Sequence, residues 1–171
     1  MLHRQPSQHT ASEKRVTMLR LGIIGAGRIG QVHAKTIAGH PGAELVLIAD
    51  PVAGAAAAVA EKLGVRSSEN IEDVYAAADV DAVVVCSPTK FHVDQIMASV
   101  AAGKAVLTEK PVDLSVERVD ACLAAIAGAE HRVMVGFNRR FDPGVVELKR
   151  RLDAGEIGEL RQLTIISRDP A

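Results

Sequence analysis

An apolar run that ends in glycines constrains this chain more than any other feature. It reads Leu19-Arg-Leu-Gly-Ile-Ile-Gly25-Ala-Gly27-Arg-Ile-Gly30. It predicts a strand entering a glycine turn that opens a helix, with Ile29, Val32, Thr36 and Ile37 on one helical face. Gly25 permits the tight turn, a side chain at Gly27 would block an approaching pyrophosphate, and Gly30 lets helix and strand pack closely. The N–H groups freed at the helix start, and the helix dipole, favour phosphate charge there. A glycine loop alone can be a plain turn. The strand before it and the helix after it make this one a dinucleotide-binding candidate, with contacts expected from Gly25, Gly27, Arg28, Ile29 and Gly30. Arg28 either meets the pyrophosphate or is a solvated helix residue.

A second acidic strand end follows. Glu44-Leu-Val-Leu-Ile-Ala-Asp50 reads as a buried parallel strand closed by a carboxylate. Asp50 lies about 20 residues beyond the loop, where a group is needed to accept ribose hydroxyls. A carboxylate there repels a 2′-phosphate, and Pro51-Val-Ala53 offers no cation to hold one. NAD is therefore expected over NADP. Read alone, Asp50-Pro51 is equally a strand-ending turn.

The next segments repeat the pattern. An Ala-rich helix over Ala53–Leu63 stops at Gly64, Val65-Arg66 forms a short strand, and Asn70 caps a short helix to Ala77. Strands are expected at Asp81–Cys86, Ala105–Thr108 and Val133–Gly136. Between them lie helices with apolar faces Val93, Ile96, Met97, Val100 and Val116, Val119, Leu123, Ile126. This alternation predicts an α/β fold, a Rossmann-type doubly wound parallel sheet with helices on both faces. In such sheets ligands sit beyond the carboxyl ends of the strands. The glycine loop, Asp50, Ser87-Pro88, Glu109-Lys110 and Phe137-Asn138 all fall at those ends.

A different segment begins near Phe137. Asp142 is an N-cap with Pro143 at the first helical position, and Val145, Leu148 and Leu152 form the helix's apolar face before Gly155. Leu160–Ser167 alternates enough to be a strand. The expected organisation is residues 1–17 as a disordered tail or misassigned start before Met18, 18–136 as the nucleotide-binding domain, and 137–171 as the beginning of a second α/β domain cut off within it.

Composition narrows the partners. With a formal net charge of −1 there is no electrostatic case for nucleic acid or an anionic membrane. Aromatic residues at 2 % argue against base-stacking surfaces. No apolar run is long enough to span a bilayer. The two cysteines, Cys86 and Cys122, form no metal cluster and read as buried thiols of a reducing, cytoplasmic compartment. No metal site is expected, and His3 and His9 read as solvated.

The chain resembles the Gfo/Idh/MocA family of NAD(P)-dependent oxidoreductases. The resemblance rests on Gly25–Gly30, on Ser87-Pro-Thr-Lys-Phe-His92, on Gly103-Lys-Ala-Val-Leu-Thr-Glu109-Lys110-Pro111, and on Gly136-Phe-Asn-Arg-Arg-Phe-Asp142-Pro143. It covers about residues 18–171. Leu152–Leu160 and Ser167-Arg-Asp-Pro170 most resemble the inositol 2-dehydrogenase branch. The resemblance implies oxidation of a secondary alcohol of a polyol or sugar, inositol first, with hydride transfer to NAD. It implies homo-oligomers for a full-length relative. It places Lys110 beside the nicotinamide and the reacting alcohol, and the cofactor near Ser87, Pro88 and His92. It assigns a later Asp-x-x-x-His segment to the acid–base group, and this sequence contains none. A non-catalytic NAD-binding module is the alternative.

Lys110 is thus expected to orient the hydroxyl and join a proton relay, its local backbone restricted by Pro111 and the Lys110-Pro111 bond a candidate cis peptide. The alternative is a surface lysine paired with Glu109. Glu109 is expected on the nicotinamide or ribose side. His92 either approaches the cofactor or packs at a helix start. Ser87 and Pro88 shape the loop under the cofactor. His33 and His131 read as structural, and Arg139 and Arg140 either form structural ion pairs or bring one guanidinium to substrate or cofactor.

Overall fold

The computed structural model describes residues 18–166 and Arg168. The expectations for residues 1–17 and for the Ser167-Arg-Asp-Pro170 end lie wholly or partly outside them. Contacts divide the chain into two compact units, 1–135 and 136–171.

The first unit carries six strands: β1 Leu19–Ile24, β2 Ala43–Ala49, β3 Arg66–Ser68, β4 Ala82–Val85, β5 Ala105–Thr108 and β6 Val133–Val135. They lie in the order β3-β2-β1-β4-β5-β6, and every pairing is parallel. Sequence order reverses between β1 and β4, which makes their carboxyl ends the topological switch point of a doubly wound sheet. Parallel strands buried on both faces need continuous apolar runs, and β4 (Ala-Val-Val-Val) is buried at all four positions.

Five helices cover the sheet: α1 Arg28–Ala38, α2 Ala55–Leu63, α3 Glu72–Ala76, α4 His92–Ala101 and α5 Val116–Ala125. Leu21, Ile23, Ile48 and Val84 pack with Ala34 and Ile37 of α1 and Ala56 and Ala60 of α2. Ile24, Leu47, Val83 and Val85 point the other way, to Val74 of α3, Val93 and Ile96 of α4 and Cys122 of α5. Successive strand residues thus feed opposite cores, as the two-residue period requires.

Two helical faces differ from expectation. On α1 the buried line is Gly30, Ala34 and Ile37, while Val32 is half exposed. The helix rests close on the sheet, so small residues occupy the contact. On α5 Ile126, just past its last residue, is buried as expected, but Val116 and Leu123 are exposed and Cys122 is buried in their stead. Cys122 acts as a small apolar residue and shifts the stripe by one position. Asn70 lies one residue outside the α3 cap, and its Oδ1 accepts from the Glu72 N–H at 3.2 Å.

The second unit holds α6, Pro143–Asp153. Asp142 caps it as expected, its Oδ1 accepting from Gly144 N–H at 2.9 Å and Val145 N–H at 3.3 Å. Arg139 lies 3.7 Å from Asp142. The strand expected at Leu160–Ser167 is a correction. Residues 160–166 form no ladder, and Leu163, Ile165 and Ile166 are exposed. Alternation alone cannot hold an extended segment that pairs with no neighbour.

Candidate cofactor site

Strand register brings the chemistry to one edge. Ile24 is level with Ala49 and Val85, and Val85 with Thr108. The ladder runs one residue further, with Gly25 N–H donating to Ala49 O at 2.8 Å, Cys86 N–H to Ile24 O at 2.8 Å and Glu109 N–H to Val85 O at 3.0 Å. Gly25, Asp50, Cys86-Ser87 and Glu109 therefore leave the sheet side by side, though up to 84 positions separate them (109 − 25).

The three glycines do three different things. Gly25 has φ +102°, and a Cβ there would stand 2.7 Å from the Cys86 carbonyl carbon. A Cβ on Gly30 would collide with the Gly25 carbonyl oxygen. Both are demanded by the fold. Gly27 is not: its φ is −66°, open to any residue, and a Cβ there would meet no protein atom within 4 Å. It stands at the N-cap of α1, where no side chain caps the helix and the first turn holds no acid. The N–H groups of that turn have no acceptor inside the helix. Open space and unmet donors at a helix start form a cradle for an anion.

Asp50 closes the other wall. Its Oδ2 accepts from the Ala26 N–H at 2.7 Å and its Oδ1 from the Val52 N–H at 2.8 Å. The carboxylate thus holds the glycine loop in place and keeps lone pairs free on both oxygens. Between these walls lies a cleft of about 600 Å³, in the range of small-molecule and cofactor sites. Gly25, Gly27, Arg28, Ile29, Asp50, Ser87 and Pro88 all line it, together with Val52, Ile71, Phe91 and Gln95. Cys86 also lines it. Burial, and then the Glu109 carboxylate, push its thiol up to about 12, so it stays neutral.

The remaining expected residues sit apart from the cleft. His92 is 2 % exposed. Its Nε2 lies 2.7 Å from the Ser87 carbonyl oxygen and its Nδ1 2.8 Å from that of Pro111. It ties the Ser87 loop to the Lys110-Pro111 loop, whose peptide bond is cis. Glu109 Oε1 is 2.8 Å from Nε2 of His33 on α1 and so is not paired with the exposed Lys110. Sequence reasoning left His33 structural and did not single out Gln95. A polar residue between Val93 and Ile96 on the buried face of α4 is the signal that could have found it. The described residues contain no metal-binding cluster and no helix long and apolar enough to cross a membrane.

A doubly wound sheet with an uncapped glycine-loop helix, an acidic β2 end and a cleft at the switch point defines a dinucleotide-binding domain. Residues 19–137 match the profile of the Gfo/Idh/MocA oxidoreductase family, NAD-binding Rossmann fold, and the chain belongs to that family. It is 50 % identical over 155 residues to the inositol 2-dehydrogenase of Rhizobium meliloti (strain 1021), covering 90 % of this chain and 46 % of that protein. It is 41 % identical to the scyllo-inositol 2-dehydrogenase (NAD(+)) of Bacillus subtilis (strain 168), covering 82 % and 42 %. Among solved structures, the scyllo-inositol dehydrogenase of Lactobacillus casei with bound NAD(H) and scyllo-inositol superposes with a TM-score of 0.77 at 35 % identity, covering 84 % of this chain and 43 % of that one. The chain spans less than half the length of the curated relatives named here.

Proposed function

We propose that this chain binds NAD in the glycine-loop cleft and serves the oxidation of a secondary alcohol on inositol or a related polyol. The observation that carries the reading is Gly27: no described residue comes near enough to require a glycine there, and a ligand approaching the α1 N-terminus does. Inositol dehydrogenases among the similar proteins support the substrate class.

NAD, when bound, supplies the hydride acceptor. The chain's residues supply the rest. The first turn of α1 and the Gly25–Gly30 loop hold the pyrophosphate. Asp50 accepts ribose hydroxyls through its free lone pairs and repels a 2′-phosphate, which favours NAD over NADP. Val52, Ile71 and Phe91 give the cleft an apolar wall. Lys110, unpaired with its neighbour Glu109 and exposed, orients the substrate hydroxyl and joins the relay that delivers its proton to solvent water. Glu109 stays beside the nicotinamide end, held by His33. His92 acts through the two carbonyls it bridges, aligning the Ser87 and Lys110 loops. Residues 136–171 begin the substrate-side, oligomer-forming region, and a cytoplasmic setting suits two free buried cysteines.

Isothermal titration tests the binding half: NAD binds more tightly than NADP, and the absence of binding by either refutes the assignment. Lys110→Ala leaves NAD affinity within about threefold, because an exposed side chain outside the cleft contributes little to it. Any NAD-dependent oxidation of myo- or scyllo-inositol by the parent chain is lost in that variant. NAD binding without turnover in the parent supports the binding-module reading instead.

A further inference from the structure

Gln95 is a buried polar side chain of the cleft that the function above leaves unused. It is 6 % exposed and sits on α4 between Val93 and Ile96, which pack into the core. Its Oε1 lies 2.6 Å from the Ser87 Oγ. That separation is typical of O–H···O contacts and short for N–H···O. The amide oxygen therefore faces Ser87, and the Ser87 hydroxyl proton is committed to it. The nitrogen end, Nε2, donates to no protein acceptor among the described residues. Among the described residues no fully buried side-chain nitrogen or oxygen lacks a partner, so Nε2 retains open space in the cleft that Gln95 lines.

The pair presents two features side by side: an N–H donor from Gln95 and an acceptor lone pair from a Ser87 oxygen whose own proton is occupied. A phosphate oxygen satisfies the donor but meets the Ser87 oxygen as a like partner. An apolar ring edge satisfies neither. A hydroxyl accepts from Nε2 and donates to Oγ, closing the set. We infer that Gln95 is a cofactor-positioning residue which, with Ser87, holds a ribose hydroxyl of the dinucleotide. The inference rests on the cofactor reading above.

The test is titration of the full chain with NAD, with inorganic pyrophosphate as a second probe competing for the same cleft. Gln95→Met keeps the length of the side chain and removes both polar ends. Gln95→Met and Ser87→Ala each weaken NAD by about three- to tenfold, the worth of a neutral hydrogen bond. The double variant is weakened by less than the product of the two, since both act on one hydroxyl. Pyrophosphate binding is unchanged in all three. Failure of the parent to bind NAD overturns this inference together with the cofactor reading. Parent-like NAD affinity in the variants overturns this inference alone. An equal loss for pyrophosphate overturns the hydroxyl assignment. If Gln95→Met does not fold by circular dichroism, Ser87→Ala, on the cleft-lining loop, decides by the same two probes.

Discussion

Replacing Gly27 by alanine separates what the fold needs from what the ligand needs. The added methyl meets no protein atom within 4 Å, and φ at −66° suits alanine. Two small terms act on the free protein. Alanine is a poorer N-cap than glycine, costing about 0.5–1 kcal/mol. It also narrows the unfolded ensemble, returning about 0.4–1 kcal/mol. The free protein's stability therefore changes by less than about 1 kcal/mol. In the complex the methyl stands where the pyrophosphate approaches, and such overpacking costs about 1–3 kcal/mol. That is a loss of roughly five- to 150-fold in affinity. Thermal or urea unfolding with and without NAD reads both quantities. At a concentration 100 times its dissociation constant, NAD stabilises the parent by about 2.7 kcal/mol. The same concentration stabilises a variant weakened a hundredfold by about 0.4 kcal/mol. Gly30→Ala is the contrast: its methyl collides with the Gly25 carbonyl, so it destabilises the free protein by about 2 kcal/mol or more. Parent-like NAD affinity in Gly27→Ala refutes the assignment of that space to the pyrophosphate. A loss of several kcal/mol in its free form refutes the claim that only a ligand requires this glycine.

Two further expectations concern stability at the opposite edge of the sheet. The Arg20 side chain, and then its backbone N–H, hold the Asp81 carboxyl at about 2. A depressed folded value means this stabilisation is present above the unfolded carboxyl range and is lost as pH falls from about 4 to about 2. Both side chains are 39 % exposed, so screening limits it to about 1 kcal/mol or less. Asp81→Asn should cost about that much at pH 7 by urea unfolding and only a small fraction of it by about pH 2; an undiminished difference in acid would show that charge is not its source. Lys104, 6 % exposed, donates from Nζ to the Ala77 and Val80 carbonyls at 2.8 Å each. Lys104→Met leaves the Val80 carbonyl without its donor and the Ala77 carbonyl with only the Val80 N–H at 3.2 Å, and lowers stability by about 1–3 kcal/mol; a change under about 0.5 kcal/mol would mean that water replaces the ammonium.

Glycine spacing and apolar runs made the sheet, its strand order class and most of the cleft legible in advance. The burial of the central strand is written in its own residues, since Ala-Val-Val-Val at β4 lies between two layers, whereas the equally apolar Val-Met-Val of edge strand β6 leaves Met134 exposed. The glycine loop, Asp50 and Ser87-Pro88 were legible because turn chemistry and strand ends are local signals. Helix orientation was less so. Val32 and Val116 obey the 3.6-residue period yet face outward, because close packing on a sheet selects small residues such as Ala34 and Cys122. Leu160–Ile166 alternates like a strand and pairs with no strand among the described residues, since pairing is a property of the neighbour.

Local sequence thus determined where the chain turns, which segments are buried and which backbone can approach a phosphate. The side-chain partnerships were decided by tertiary structure. His33 meets Glu109 across 76 positions, His92 joins the Ser87 and Pro111 carbonyls, and Asp50 holds the Ala26 amide. The same holds for Gln95: its place on a buried helical face is written locally, but its contact with Ser87 exists only once α4 has docked on the sheet. Hydrogen bonds have a reach of about 3 Å, and only folding brings groups so distant in the chain within it.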